Sequence, residues 1–262
     1  MNCIVTEELN IGYGNIEIVK NLNLNIPKGK ITSLIGANGC GKSTILKTIA
    51  RILKPTSGTI YINGKAIEKQ HSKDLAKIMA VLPQNPEAPK GLKVEELIAY
   101  GRFPHQKGFG GLKQEDKDII NWALEKTGIL EFRNRYVETL SGGQRQRAWI
   151  AMALAQETDI LLLDEPTTYL DLAYQLEILQ LLQEINQSHK ITILMIIHEI
   201  NNAARFSDYM IGVKKGEIIC AGTAKEVMTN TNLKEIFNID AEIMENPRDG
   251  KPVCLTYDII SN

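Results

Sequence analysis

Three short, mostly apolar runs organise this chain. Ile31 to Ile35 stops at Gly36, Ile160 to Leu163 stops at Asp164-Glu165, and Ile191 to Ile197 stops at His198. Runs of this length, rich in Ile and Leu, predict strands buried on both faces, as in a parallel sheet. Other segments carry different periods. Leu22 to Ile26 alternates before the turn Pro27-Lys28-Gly29, and Thr59 to Ile62 runs into Asn63-Gly64, a strong hairpin signal. These two predict a small antiparallel sheet beside the core.

Helical signals fill the intervals. Lys42 to Leu53 is a predicted helix stopped by Pro55. Ser141 caps an Ala-rich segment running to about Ala155. Asp171 precedes a stretch with Leu172, Leu176, Leu179, Leu182 and Ile185 on roughly one face. Thr223 to Glu226 has the form of a capping box. Val94 to Thr139 is helical and more polar, with Gln114 to Thr127 its clearest helix and Gly128 the stop. Gly108 to Gly111 predicts a flexible loop within it. The expected fold is α/β, with a mostly parallel sheet, a flanking antiparallel β subdomain and an inserted helical subdomain. The core and β subdomain take about 1–93 and 156–262, and the helical insert takes about 94–155.

Ligands of open α/β sheets sit beyond the carboxyl ends of the strands. Those ends carry the candidate chemistry here. Gly36-Ala37-Asn38-Gly39-Cys40-Gly41-Lys42-Ser43, followed by Thr44, fits the phosphate-binding pattern G-x-x-x-x-G-K-[ST]. Its glycines let backbone N–H groups approach phosphate, Lys42 reaches the β and γ oxygens, and Ser43 can ligate Mg²⁺. The motif lies between a predicted strand and a predicted helix, the context it requires. Asp164 can hold Mg²⁺ and Glu165 can orient or deprotonate a water. Leu140-Ser141-Gly142-Gly143-Gln144 opens a second helix with bare backbone donors, a ready anion site. One nucleotide needs only one such loop. The simplest use of the spare half-site is to close over the nucleotide of another copy, giving a head-to-tail dimer with two shared ATP sites.

Bulk properties narrow the class. The chain has 262 residues, 44% hydrophobic, with a net charge of −1, so no basic field argues for nucleic acid. Cys3, Cys40, Cys220 and Cys254 are scattered without a C-x-x-C pair, which suits a reducing compartment. Cys40 occupies a free position of the loop and is expected to be inert unless exposed. The first residues lack a signal-peptide pattern, and the apolar runs fall short of the roughly 20 residues that span a bilayer. Any membrane role is therefore expected to go through a partner.

These residues resemble the ATP-binding cassette (ABC) family over essentially the whole chain. Leu140 to Gln144 matches its signature sequence letter for letter, about twenty residues before the Asp164-Glu165 pair, as that family's pattern expects. The resemblance implies further roles. Tyr13 would stack on adenine. Gln84 would be the Q-loop glutamine, touching Mg²⁺ and the water. Asp171, in Tyr169-Leu170-Asp171, would cross the dimer seam. His198 would be the switch histidine at the γ-phosphate. Where the family usually has aspartate after that histidine, this chain has Glu199, which keeps the charge and adds one methylene; activity is expected to survive.

Gly101-Arg102-Phe103-Pro104-His105 resembles a stretch of importers for ferric siderophores, haem and vitamin B12. The segments from Glu165 to Glu177 and from Asn246 to Cys254 resemble that group too. The resemblance implies an ATPase using ATP and Mg²⁺, acting as a homodimer on the cytoplasmic face of the membrane. Its partners would be two membrane-spanning permease subunits and an extracytoplasmic binding protein. A ferric siderophore is favoured as cargo, with haem or cobalamin the alternatives. Two other classes compete: a non-transport ABC ATPase acting on nucleic acid or ribosomes, and a phosphate-loop small-molecule kinase. The first resembles tandem cassettes, and the second needs an acceptor site and no Leu140 to Gln144 segment.

Overall fold

The computed structural model describes residues 2–14, 16–106 and 111–260. Three residues of the expected flexible loop, 108–110, lie outside that range. The chain divides into two compact units, Met1–Gln70 with Asn186–Asn262, and His71–Ile185.

The first unit begins with an antiparallel sheet. A long strand β1 (Asn2–Tyr13) pairs along one edge with β2 (Ile16–Leu22) and then β3 (Asn25–Pro27), and on its other edge with β5 (Ser57–Ile62). Leu22 to Ile26 is not the one continuous strand that its alternation predicts. The buried Thr6 hydroxyl donates to Leu22 O and accepts from Leu24 N, both at 2.8 Å. It stands in for a strand partner at the break. Between β3 and β5 run β4 (Ile31–Ile35), buried at every residue, and helix α1 (Lys42–Ile49). Asn63 and Gly64 both take positive φ, as a two-residue hairpin needs, and lead into β6 (Lys65–Ala66).

Helix α1 stops four residues short of Leu53. Arg51 takes the left-handed conformation (φ 58), Ile52 N–H returns to Lys47 O at 2.9 Å, and Arg51 N–H returns to Thr48 O at 3.0 Å. This is a Schellman end built on arginine instead of the usual glycine. The Arg51 guanidinium also donates to Ile67 O and Gln70 O, contacts that offset the left-handed backbone.

The second unit holds α2 (Ser72–Leu75), β7 (Met79–Leu82), α3 (Val94–Tyr100), α4 (Gln114–Lys126), α5 (Gly142–Ala155), β8 (Ile160–Leu163) and most of α6 (Leu172–His189). Strands β7 and β8 are parallel, with Met79 opposite Ile160 and Leu82 opposite Leu163. Gly128 at φ 67 ends the α4 segment as its sequence predicts. Arg102 is the polar centre of the helical region. Its buried guanidinium donates to Asp116 Oδ1 at 2.9 Å and, at 2.7 Å, to both Ala155 O and Glu157 Oε2. It thereby ties the end of α3 to the first turn of α4 and the last of α5.

The chain returns to the first unit with β9 (Thr192–Ile196), α7 (Ile200–Phe206), β10 (Tyr209–Lys214) and β11 (Glu217–Gly222). Strands β9, β4 and β10 are parallel neighbours, and β11 closes antiparallel on β10. After α8 (Ala224–Val227) and α9 (Asn230–Phe237), the chain ends in an antiparallel hairpin of β12 (Ile239–Glu245) and β13 (Pro252–Ile259). No helix among the described residues is long and apolar enough to cross a membrane.

Candidate functional site

In the first unit the site is built on the carboxyl ends of β4 and β9. Leu34 lies opposite Ile196, so Gly36 and His198 follow neighbouring strand ends. The phosphate-loop segment Gly36 to Ser43 leads directly into α1, whose N-cap is Gly41 at φ 105. Gly36 sits at φ 154, and a Cβ there would meet Val213 O of β10 at 2.2 Å. Glycine is therefore required by the adjacent strand as well as by any approach to phosphate. The buried Lys42 ammonium donates to Gly36 O at 2.9 Å and Ala37 O at 3.0 Å. The loop's own carbonyls hold the charge inward, where phosphate oxygens would compete for the same donors. Cys40 is buried, its Sγ 3.8 Å from that ammonium, and so lacks the exposure that would favour oxidation. Ser43 and Thr44 follow Lys42 in the first turn of α1. Tyr13 ends β1 opposite Ile16, with its ring half exposed. His198 and Glu199 are exposed, and Glu199 is the N-cap of α7, its carbonyl accepting Ala203 N–H.

The second unit gathers the remaining candidates. Asp164 follows β8 and is buried, its N–H held by Leu82 O at 2.9 Å. Glu165 comes next, in the left-handed region at φ 53, a strained backbone that surrounding contacts must hold. They do: Gln84 Nε2 donates to Glu165 Oε2 at 2.5 Å, and Thr168 Oγ1 donates to the same oxygen at 3.0 Å. Thr168 is a site residue that motif reasoning passes over; its only sequence signal is a hydroxyl three residues after the glutamate.

The Leu140 to Gln144 segment makes a complete capping box. Ser141 Oγ accepts Gln144 N–H at 3.3 Å, and Gln144 Oε1 accepts Ser141 N–H at 3.1 Å. Gly143 packs so closely that a Cβ would lie 2.9 Å from the Tyr174 ring, and a Cβ on Gly142 would lie 3.5 Å from Leu170. The signature segment and the Tyr169-Leu170-Asp171 turn are thus neighbours in this unit. Asp171 caps α6, accepting Tyr174 N–H at 3.0 Å.

Residues 19–168 match the sequence model of the family described as ABC transporter. The iron(3+)-hydroxamate import ATP-binding protein FhuC of Bacillus subtilis (strain 168) is 65% identical over 262 residues, spanning 100% of this chain and 97% of its own length. Among solved structures, an inward-facing conformation of a metal-chelate type ABC transporter superposes with a TM-score of 0.84 at 27% identity, covering 99% of this chain and 98% of its own. The dimeric ABC transporter cassette MJ0796 superposes with a TM-score of 0.75 at 31% identity, over 84% of this chain and 98% of its own.

Proposed function

The chain belongs to the ABC transporter family as one of its ATP-binding cassettes, and from that premise we propose that it powers the import of ferric siderophores through two membrane-spanning permease subunits. Its phosphate-loop NTPase fold and its ATPase activity are those of the family. The cargo reading is carried by one observation: whole-length identity of 65% to a protein named for iron(3+)-hydroxamate import. Haem and cobalamin stand as the alternatives.

In the proposed cycle Gly36 to Thr44 bind the nucleotide phosphates and Tyr13 stacks on adenine. Mg²⁺ would be held by Ser43, Asp164 and Gln84, an all-oxygen set that suits a hard cation; when bound it supplies charge neutralisation on the phosphates. Glu165 orients and deprotonates the attacking water, and Lys42 and His198 stabilise the transferred charge. Two copies close head to tail, so that Leu140 to Gln144 of one copy grip the γ-phosphate of the other and Asp171 lies at the seam. The helical subdomain, about 94–155, and the Gln84 loop receive the permeases at the cytoplasmic face, and an extracytoplasmic binding protein delivers cargo.

The test is uptake of labelled iron–siderophore, haem and cobalamin in cells lacking this protein, complemented by wild type or Glu165→Gln. Loss of iron–siderophore uptake alone, restored only by wild type, is the expected result. Loss of haem or cobalamin uptake alone moves the cargo to that alternative and leaves the ATPase reading in place.

A further inference from the structure

His198 lies between two elements, after β9 and just before the N-cap of α7. On its strand side the backbone is tethered: Ile197 N–H reaches Leu34 O at 3.4 Å, two residues ahead of Gly36. On its other side is a helix of only seven residues. So short a helix has little intrinsic stability, and tertiary contacts set its direction.

Those contacts come from the C-terminal hairpin. The Asn201 side chain, in the first turn of α7, donates from Nδ2 to Cys254 O at 3.0 Å and accepts Cys254 N–H on Oδ1 at 2.8 Å. The amide pairs with one residue of β13 as a neighbouring strand would. At the far end of α7, Lys251 Nζ donates to Arg205 O at 2.5 Å and Ser207 O at 3.3 Å, capping the last carbonyls. Asp208 then anchors that end to β4: its Oδ2 accepts Ile31 N–H, and its own N–H donates to Ile31 O, each at 2.9 Å. The hairpin holds both ends of α7, and the end next to His198 depends on Asn201.

The chemistry of the side chain is specific. Only a primary amide offers both a donor and an acceptor to the C=O and N–H of a single residue; aspartate only accepts, and serine is too short to bridge both. Asparagine is also a poor helix former, so propensity does not account for it. Burial, with the nearby Glu199 charge adding to it, pushes the Cys254 thiol up; the clamp and the histidine turn share one neighbourhood.

We propose that Asn201 is a positioning residue for His198, and that the hairpin β12–β13 acts through it to hold the histidine at the end of β9 beside the phosphate-loop strand. The proposal rests on the reading of His198 as a catalytic residue. Displacing a catalytic group by about 1 Å costs on the order of a hundredfold in rate, so a loosened first turn should show in turnover before it shows in nucleotide binding.

The experiment compares full-length wild type with Asn201→Ala, Asn201→Asp, Lys251→Met and His198→Ala. ATPase kcat is normalised to stoichiometric nucleotide binding, which removes any unfolded fraction, and KM and the thermal midpoint are recorded. Asn201→Ala is expected to lose about tenfold or more in kcat with KM for ATP within about twofold. Asn201→Asp, which keeps the acceptor, should fall between it and wild type. Lys251→Met releases the end of α7 remote from the histidine; it should lower the thermal midpoint and keep kcat per bound nucleotide within about twofold. Wild-type kcat in Asn201→Ala, or equal losses in Asn201→Ala and Lys251→Met, overturns the proposal. Where Asn201→Ala does not fold, Asn201→Asp against Lys251→Met makes the same comparison. Full turnover in His198→Ala removes the catalytic reading of the histidine and the proposal with it. A dead His198→Ala beside a normal Asn201→Ala removes the proposal alone.

Discussion

Gln84 and Glu165 are joined directly: the amide Nε2 donates to the carboxylate Oε2 at 2.5 Å. The two residues are 81 positions apart in sequence, one beyond the end of β7 and the other beyond the end of β8. Parallel pairing of these strands puts both ends on one edge. The loop after β7 thereby contacts the carboxylate proposed to activate water. Glu165→Gln keeps the shape and removes the basicity. We expect it to bind ATP, lose about 10²- to 10⁴-fold in turnover, the usual worth of a positioned general base, and accumulate as an ATP-bound dimer on size exclusion. A variant that stays monomeric with ATP and hydrolyses at the wild-type rate would exclude the shared-site mechanism.

Thr168 gives a finer test of the same carboxylate. Its hydroxyl donates to Glu165 Oε2 at 3.0 Å, and a hydrogen bond to a charged group is worth roughly 1.5–3 kcal/mol. Thr168→Val should lower kcat by about tenfold with KM for ATP little changed, read by steady-state kinetics. An unchanged kcat would mean that Gln84 and the backbone suffice to orient Glu165.

Lys42 is held by carbonyls of its own loop, Gly36 O and Ala37 O. Lys42→Ala removes both the proposed phosphate partner and this inward clasp. Nucleotide affinity should fall by at least tenfold and turnover should be lost, as measured by equilibrium binding of a fluorescent ATP analogue and by phosphate release. Unchanged affinity would contradict a phosphate-binding role.

The parallel core was legible because buried strands write themselves as short apolar runs, and the phosphate loop because its glycines answer to steric need. The α5 capping box was equally plain in Ser141 and Gln144. What escaped are features that depend on partners distant in sequence. The end of α1 carries no glycine, since Arg51 takes the left-handed position and is held by Ile67 O and Gln70 O. The break between β2 and β3 depends on the Thr6 hydroxyl. The left-handed Glu165 has no sequence signal at all. The clamp from Asn201 to Cys254 joins residues 53 apart, through a side chain that motif reasoning reads as ordinary helix surface.

Arg102 belongs to the segment whose resemblance pointed to chelate importers, and its visible work is structural. It satisfies Asp116, Glu157 and Ala155 O from a side chain only 4% exposed. Removing one partner of a buried pair leaves an uncompensated charge and costs about 3–5 kcal/mol. Arg102→Met should therefore destabilise the protein by that order in urea unfolding. Adding Asp116→Asn should restore part of the loss by removing the stranded charge. A single variant within about 0.5 kcal/mol of wild type would show that the cluster contributes nothing net.

The same cluster sets an acid limit. The hydrogen bond from Arg102, reinforced by the Lys113 backbone N–H, holds the Asp116 carboxyl below the ordinary aspartate range. A carboxylate lowered on folding stabilises the native state fully at pH values above its unfolded pKa, about 3.9, because on acidification the unfolded chain takes up the proton first and is favoured by it. That contribution is lost as the pH falls from about 4 through the lower folded value. The urea midpoint of the wild type should thus drop more steeply between pH 5 and pH 3 than that of Asp116→Asn, which has no proton to take up at this position. Parallel curves for the two proteins over that window would show that Asp116 is not linked to folding and that other carboxylates set the acid limit.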